Sequence, residues 1–248
     1  MERSIGNVSW TREEQIEALK EFSELYEKRP IKSNFGGMDS AHMFHVWFIV
    51  RFLKPQFIIE SGIWKGQSTW LLEEAAPEAS LFCIDPDLYL REYASYKAKY
   101  QEKDFNDTDW NEILDPEQTL CFFDDHYGVD RIFQASDKGV KKIIYEDNYH
   151  DDRGNSYNPA GQCLSPKAVM REFNGADSQP LIDKTKIYYE CPPIYFNDSN
   201  DRNHTWAKTT PSQFRLMTPE AMLTDSSLYP TFFEERASYT WIAYMELV

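Results

Sequence analysis

The sequence predicts an α/β protein built on one doubly wound, mostly parallel sheet with an antiparallel strand at its C-terminal end. Three observations lead there. Short apolar runs alternate with amphipathic segments along most of the chain. Four of those runs end in carboxylates, at Glu60, Asp85, Asp124 with Asp125, and Glu146 with Asp147. The first run, Phe57-Ile-Ile-Glu, opens directly onto a turn carrying Gly62 and Gly66, then the hydroxyl pair Ser68 and Thr69 and an amphipathic stretch. That order reads as buried strand, glycine turn and helix start.

Residues 9–27 alternate apolar and charged positions at helical spacing, with Thr11 or Ser9 as cap, and read as a surface helix packed on the sheet. Residues 31–40 hold Gly36 and Gly37 and cannot be regular structure; they form either a plain linker or a lid over a ligand. A helix over 41–53 carries His42 and His45 on an aromatic background, where histidines are more often core residues than ligands. The glycine-turn strand follows, then a second strand ending at Asp85 and a helix over 89–100. Residues 101–116 are acidic and irregular, with a short strand near 110–114. A strand over 119–123 leads to a crossover helix over 129–138 stopped by Gly139, and a strand over 141–145 ends in acids. A helix over 165–173 follows, with Pro166 in its first turn, then strands over 184–190 and 238–247 that pair as an antiparallel edge. Between those strands only 219–223 looks helical. One domain spans 1–248, with residues 1–40 as N-terminal helix and lid and 194–237 as an irregular insertion.

Composition narrows the function. At 42% apolar and 15% aromatic the chain is globular, and a net charge of −15 would repel nucleic-acid backbones and anionic membranes. No apolar stretch approaches the roughly 20 residues needed to span a bilayer. The start lacks a signal-peptide core, and Cys83, Cys121, Cys163 and Cys191 are scattered without zinc-site spacing. A reducing, cytoplasmic setting with free thiols is expected, and a homo-oligomer is compatible with the sequence.

The glycine turn and the acids suggest a site. Asp85 falls about 20 residues past the glycines, where a nucleotide-binding α/β fold places a carboxylate on ribose. The turn lacks the extra glycine that cradles a phosphate, and Glu60 ahead of it suits a ligand with an ammonium; S-adenosylmethionine meets both demands. Ligands of open parallel sheets bind beyond the carboxyl ends of the strands, and right-handed crossovers bring those ends to one edge. Crowded carboxylates there repel one another and call for a cation. Asp124, Glu146 and Asp147, with Asp125 in reserve, form an all-oxygen set that favours Mg²⁺ first, with Ca²⁺ or Mn²⁺ next. Asp124 and Asp125 could instead cap a helix or sit in a solvated turn. His126, two residues on, is the natural base or else a loop histidine bonded to the acids.

Together, Glu60-x-Gly62-x-x-x-Gly66-x-Ser68, Asp85, Phe123-Asp124-Asp125-His126 and Glu146-Asp147-Asn148 resemble the class I S-adenosylmethionine-dependent methyltransferases. More narrowly they resemble the metal-dependent sugar and natural-product O-methyltransferases related to macrocin O-methyltransferase and cephalosporin hydroxylase. The resemblance spans roughly residues 34–175 and implies a Rossmann-like methyltransferase fold. It implies S-adenosylmethionine at Glu60, Gly62, Gly66, Ser68 and Asp85, Mg²⁺ at Asp124, Glu146 and Asp147, and His126 as base. Residues 34–38 would sit near the cofactor, and the acceptor would be a small molecule or glycan. A catechol-type O-methyltransferase and a non-catalytic S-adenosylmethionine-binding protein are the competing readings.

Overall fold

Strand β1, Phe57–Ser61, is buried along four of its five residues and forms the centre of the sheet. The computed structural model of the chain describes residues 6–110, 115–148, 165–167, 169, 179–195, 219–225, 227–235 and 242–248. On one side β1 pairs in parallel with β2, Ser80–Ile84, which pairs with the short β3, Lys99–Gln101. On the other it pairs with β4, Thr119–Phe123, and β4 with β5, Lys142–Tyr145. Two further strands, β6 (Thr185–Glu190) and β7 (Ala243–Leu247), complete seven strands in the order β3-β2-β1-β4-β5-β7-β6. Only β7 runs against the rest, paired antiparallel with both β5 and β6. The fold is the doubly wound, mostly parallel sheet expected.

Period-two alternation in the strands distributes side chains to two cores. Ile58, Leu120, Phe122 and Ile144 pack on one face with α1 (Arg12–Tyr26), α2 (Ser40–Leu53) and α3 (Gln67–Ala75). Ile59, Cys121, Phe123 and Ile143 pack on the other with Ile132 of α4 (Asp130–Asp137) and Leu181 of α5 (Gln179–Lys184). Helix α1 starts in a capping box: Thr11 Oγ1 accepts from Glu14 N at 3.1 Å, and Glu14 returns a bond to Thr11 N at 2.7 Å. Helix α2 buries eleven consecutive residues, so it is a core helix rather than a surface one, and His45 is packed inside it. Cys83, Cys121 and Cys191 are buried free thiols. No helix among the described residues is long and apolar enough to cross a membrane.

Two expectations need correction. Residues 89–98 are turns and bends, not a helix; their backbone is spent on the glycine turn, as shown below. Residues 219–223 are irregular rather than helical, with Met222 N and Leu223 N donating to the carbonyls of Pro193 and Ile194 at 2.8 and 2.9 Å. Among the described residues between β6 and β7, the helix is α6, Pro230–Glu234, which starts on a proline at its first position. The last two strands pair antiparallel at the edge of the sheet as expected, with β7 between β5 and β6 and β6 outermost. The edge of β6 is covered by the N-terminal segment, where Gly6 N donates to Lys186 O at 2.8 Å. The strand expected near 110–114 and most of the helix expected over 165–173 lie outside the described residues.

Candidate functional site

The strand order reverses between β1 and β4, so the crevice beyond their carboxyl ends is the topological switch point where such sheets bind ligands. The glycine turn leaves β1 on one side of that crevice and the Asp124 segment leaves β4 on the other. Gly62 has φ +95°, and a Cβ there would overlap the Asp124 carbonyl oxygen. Its N–H donates to Ile84 O at 3.0 Å, while Asp124 N donates to Ser61 O at 2.8 Å. Gly66, at φ +90°, caps α3, and a Cβ there would overlap the Tyr93 carbonyl oxygen. Both glycines are therefore required by close approach of other backbone within the protein. The segment expected to be helical is what reaches Gly66: Glu92 N and Tyr93 N both donate to Lys65 O at 2.9 Å, and Lys65 pairs with Glu92.

Asp85 ends β2 and fastens the turn. Its Oδ2 accepts from Ile63 N and Trp64 N at 2.8 and 3.0 Å, and its Oδ1 accepts from Asp87 N at 2.9 Å. That restraint keeps Trp64 at φ +44°, a left-handed conformation uncommon outside glycine. Glu60 is not at the open edge. It is wholly buried beneath α3, where Thr69 Oγ1 donates to its Oε2 at 2.6 Å. Burial raises its pKa against the opposing hydrogen bonds of Cys83, Ser68 and Thr69. Ser68 is buried too, turned toward Glu60. Glu60 and Ser68 thus lock α3 to β1 from inside. Residues 34–37 form a tight turn, Gly37 N to Asn34 O at 3.0 Å, that packs against the Trp64 ring.

Across the crevice the two aspartates after β4 part company. Asp125 Oδ2 accepts from Ser61 Oγ at 2.6 Å and from Arg131 Nε at 2.7 Å. Arg131, buried to 2% exposure, also forks onto Asp104 and donates to Gln134 Oε1 at 2.7 Å. Asp125 is thereby committed to a structural ion pair. Asp124 faces the acids after β5. Among the described residues, one group of three has ligand atoms all within 4.8 Å of one another: Asp124, His126 and Asp147. Both His126 (φ +57°) and Asp147 (φ +61°) are left-handed, which breaks strand alternation and brings their side chains together. His126 Nδ1 meets Asp147 Oδ2 in a short hydrogen bond.

Glu146, expected as a ligand, stands outside that group. Burial, then the charges of Asp147 and Asp124, push its pKa well up, and its carboxyl lies in hydrogen-bond contact with both acids. Asp124 is half-buried by area but densely surrounded. Burial and then the Asp147 charge push its carboxyl up, with His126 opposing. At His126 burial acts downward, yet the bond to Asp147 and the charges of Asp147, Asp124 and Asp125 outweigh it and hold the imidazole up at about 9. The converging group thus joins Asp124 and Asp147 to the His126 imidazole, with the Glu146 carboxyl against both acids. Asn148, which the sequence reading passed over, is buried beside it; its Oδ1 accepts from Lys167 N at 2.8 Å and its Nδ2 donates to Tyr188 Oη at 3.1 Å.

No protein-family model and no curated protein matches the chain. Solved structures of similar fold include the plantazolicin methyltransferase BpumL in complex with S-adenosylhomocysteine and an analogue of desmethylplantazolicin. It is 13% identical over 95% of both chains, with a TM-score of 0.46. The S-adenosylhomocysteine-bound methyltransferase PaMTH1 of Podospora anserina is 15% identical over 64% of this chain and 86% of that one, with a TM-score of 0.42. The O-methyltransferase TomG of Streptomyces achromogenes, in complex with S-adenosylmethionine, is 15% identical over 58% and 72%, with a TM-score of 0.39. Likeness at this level concerns the arrangement of strands and helices.

Proposed function

We propose that the protein moves a methyl group from S-adenosylmethionine to a hydroxyl of a sugar or glycan, assisted by a divalent cation. One observation carries the reading: Asp124, His126 and Asp147 converge at the switch-point crevice directly opposite a glycine turn fastened by Asp85.

The donor set fits the cation. Two carboxylates crowded with a third carboxyl raise one another's pKa, the mark of a site that favours a positive partner, and oxygen ligands suit Mg²⁺ or Mn²⁺. Asp124 and Asp147 would hold it, and when bound it would lower the pKa of the acceptor hydroxyl. The donor, when bound, supplies an electrophilic sulfonium methyl. The backbone of the turn and Asp85 would hold its amino-acid and ribose ends. Asp85 still has acceptor capacity, because an ionised carboxylate offers about four lone-pair sites and three are taken here. Trp64 and the 34–37 turn would exclude water above it. Glu60 and Ser68 act from beneath, by fixing the helix that starts at Gly66.

His126 is the base in this reading, once a cation on Asp124 and Asp147 offsets the carboxylate charges that hold its imidazole up at about 9. Asp147 engages its Nδ1, which sets the tautomer and leaves Nε2 to take the acceptor's proton. A specific observation favours a second role: its ligand nitrogen lies within 4.8 Å of both carboxylates, as a third cation ligand would. Imidazole in the set would shift preference from Mg²⁺ toward Mn²⁺.

Titration calorimetry with S-adenosylmethionine, Mg²⁺ and Mn²⁺, on the intact protein and on Asp147→Asn, tests both halves. The expected result is donor binding in each protein and cation binding only in the first. A protein that takes up neither ligand ends the proposal, and a clear Mn²⁺ preference moves His126 from base to ligand.

A further inference from the structure

A second cleft lies where the N-terminal segment crosses the outer strand β6. Its volume is about 370 Å³, within the range of roughly 300–1,000 Å³ typical of small-molecule pockets. Trp10 and Tyr189 contribute aromatic wall, and Gln15 and Glu190 contribute polar groups. Trp10 is held rigid by edge contacts to Phe48, Phe52 and Tyr189, so its exposed part is a fixed surface. Gln15 is the informative residue. It is 1% exposed, its Oε1 accepts from Tyr189 Oη at 2.9 Å, and its Nε2 has no hydrogen-bond partner. A buried amide donor left unsatisfied costs about 1–3 kcal/mol, and this one lines a cleft that can receive an acceptor.

The electrostatics select the ligand class. Arg12 spends its guanidinium on the carbonyls of Glu220 and Ala221, and Glu190 is paired with the buried Lys167 at 3.2 Å. Among the described lining residues no cation is thus left over for a phosphate or carboxylate. Rigid aromatic wall and a buried amide donor suit a ring with an apolar face and hydroxyls at its rim. We propose that this cleft binds a neutral sugar ring.

Its position relates it to the acidic centre. Tyr145, Ala243 and Glu190 stand in register across β5, β7 and β6, so Glu190 lies two strand spacings, about 10 Å, along the same carboxyl edge from the acids after β5. Tyr188 Oη touches Asn148, the neighbour of Asp147. A ring in the cleft would be the distal unit of an acceptor whose hydroxyl reaches Asp124 and Asp147. That last assignment rests on the methyl-transfer reading; binding of the ring does not.

Saturation-transfer NMR therefore runs without donor or cation, using methyl glycosides of glucose, galactose and mannose, with glucuronate and catechol as anionic and planar controls. The expected result is transfer to at least one neutral glycoside at millimolar concentration, weakened about tenfold in Gln15→Leu, and abolished in Val8→Phe, which fills the cleft from its rim. Val8 is half-exposed, so that variant keeps the fold if Gln15→Leu does not. No glycoside signal, a signal unchanged in both variants, or preference for glucuronate or catechol overturns the proposal. Should glycosides bind while donor and cation do not, the cleft stands and the methyl-transfer reading falls.

Discussion

The two sides of the switch-point crevice are built on opposite terms. Over β1 and β2 most polar groups are met within the protein: Asp85 accepts three backbone N–H groups, Glu60 Oε2 accepts from Thr69 while its Oε1 has no partner, and each glycine is approached by a neighbouring carbonyl. Over β4 and β5 it does the reverse. Asp124, Glu146 and Asp147 crowd together, two residues take left-handed backbone, and only His126 offsets the charge from within the group. The first side should be a source of stability, and the second a drain on it that ligand chemistry explains. Substitutions on the two sides should thus differ in sign.

The largest effect is expected at Gly62, which belongs to both sides. Alanine there would combine a left-handed backbone, about 1–2 kcal/mol, with a clash against the Asp124 carbonyl. Gly62→Ala should lose about 3 kcal/mol or more in urea unfolding, and cation binding with it, because Asp124 is displaced. A loss below about 1 kcal/mol would mean that the turn is loose and the close approach unimportant.

The self-satisfied side was the more legible in sequence, and the strained side the less. Apolar runs ending in acids gave β1, β2, β4 and β5 and placed their ends on one edge. Which acid of each pair faces inward was not readable, because the left-handed residues His126 and Asp147 shift alternation by local backbone alone. Hence Glu146 was expected as a ligand with His126 as base, whereas the converging ligand atoms belong to Asp124, His126 and Asp147, and Asp125 meets Arg131, a partner six residues on that only the start of α4 positions. The missing helix over 89–100 has a similar cause: Tyr93 is held by a tertiary contact with Gly66, which periodicity cannot express. The inner place of β7 did leave a trace. Residues 242–245 are apolar without a break, as suits a strand buried on both faces, whereas β6 carries Lys186 and half-exposed tyrosines. The cleft by Gln15 left none, since it joins residues 174 positions apart.

Away from the crevice, His45 provides a pH contrast. It is buried in α2 with Nε2 at 2.8 Å from Pro192 O, and burial, with a smaller contribution from His42, lowers its pKa to about 3. The unfolded value is near 6.5, so between these values the unfolded chain holds the extra proton. The stability conferred by the neutral imidazole is complete above about pH 6.5 and drains away as pH falls toward 3. The raised carboxyls work the other way: their cost is full at high pH and shrinks as pH falls through their folded values. His45→Gln, which keeps a donor for Pro192, should therefore flatten acid destabilisation by roughly 2 kcal/mol at pH 5, at about 1.4 kcal/mol per pH unit. Identical pH curves for the two proteins would show that His45 is not held neutral.

The smallest effect is the most discriminating, because its sign decides the matter. Asp124→Asn removes one member of the crowded set without changing its size. In EDTA at neutral pH the variant should be more stable than the parent by on the order of 1 kcal/mol, since a like charge has gone from beside Asp147. Asp125→Asn, one residue along, should instead be less stable by about 1–3 kcal/mol, because it leaves the buried Arg131 guanidinium short of a counter-charge and weakens the Ser61 bond. Cation binding should vanish in the first and persist in the second. Urea unfolding and calorimetry on the two variants read all four quantities. If Asp124→Asn destabilises as Asp125→Asn does, the cluster is ordinary structural hydrogen bonding, and the opposition between the two sides of the crevice fails with it.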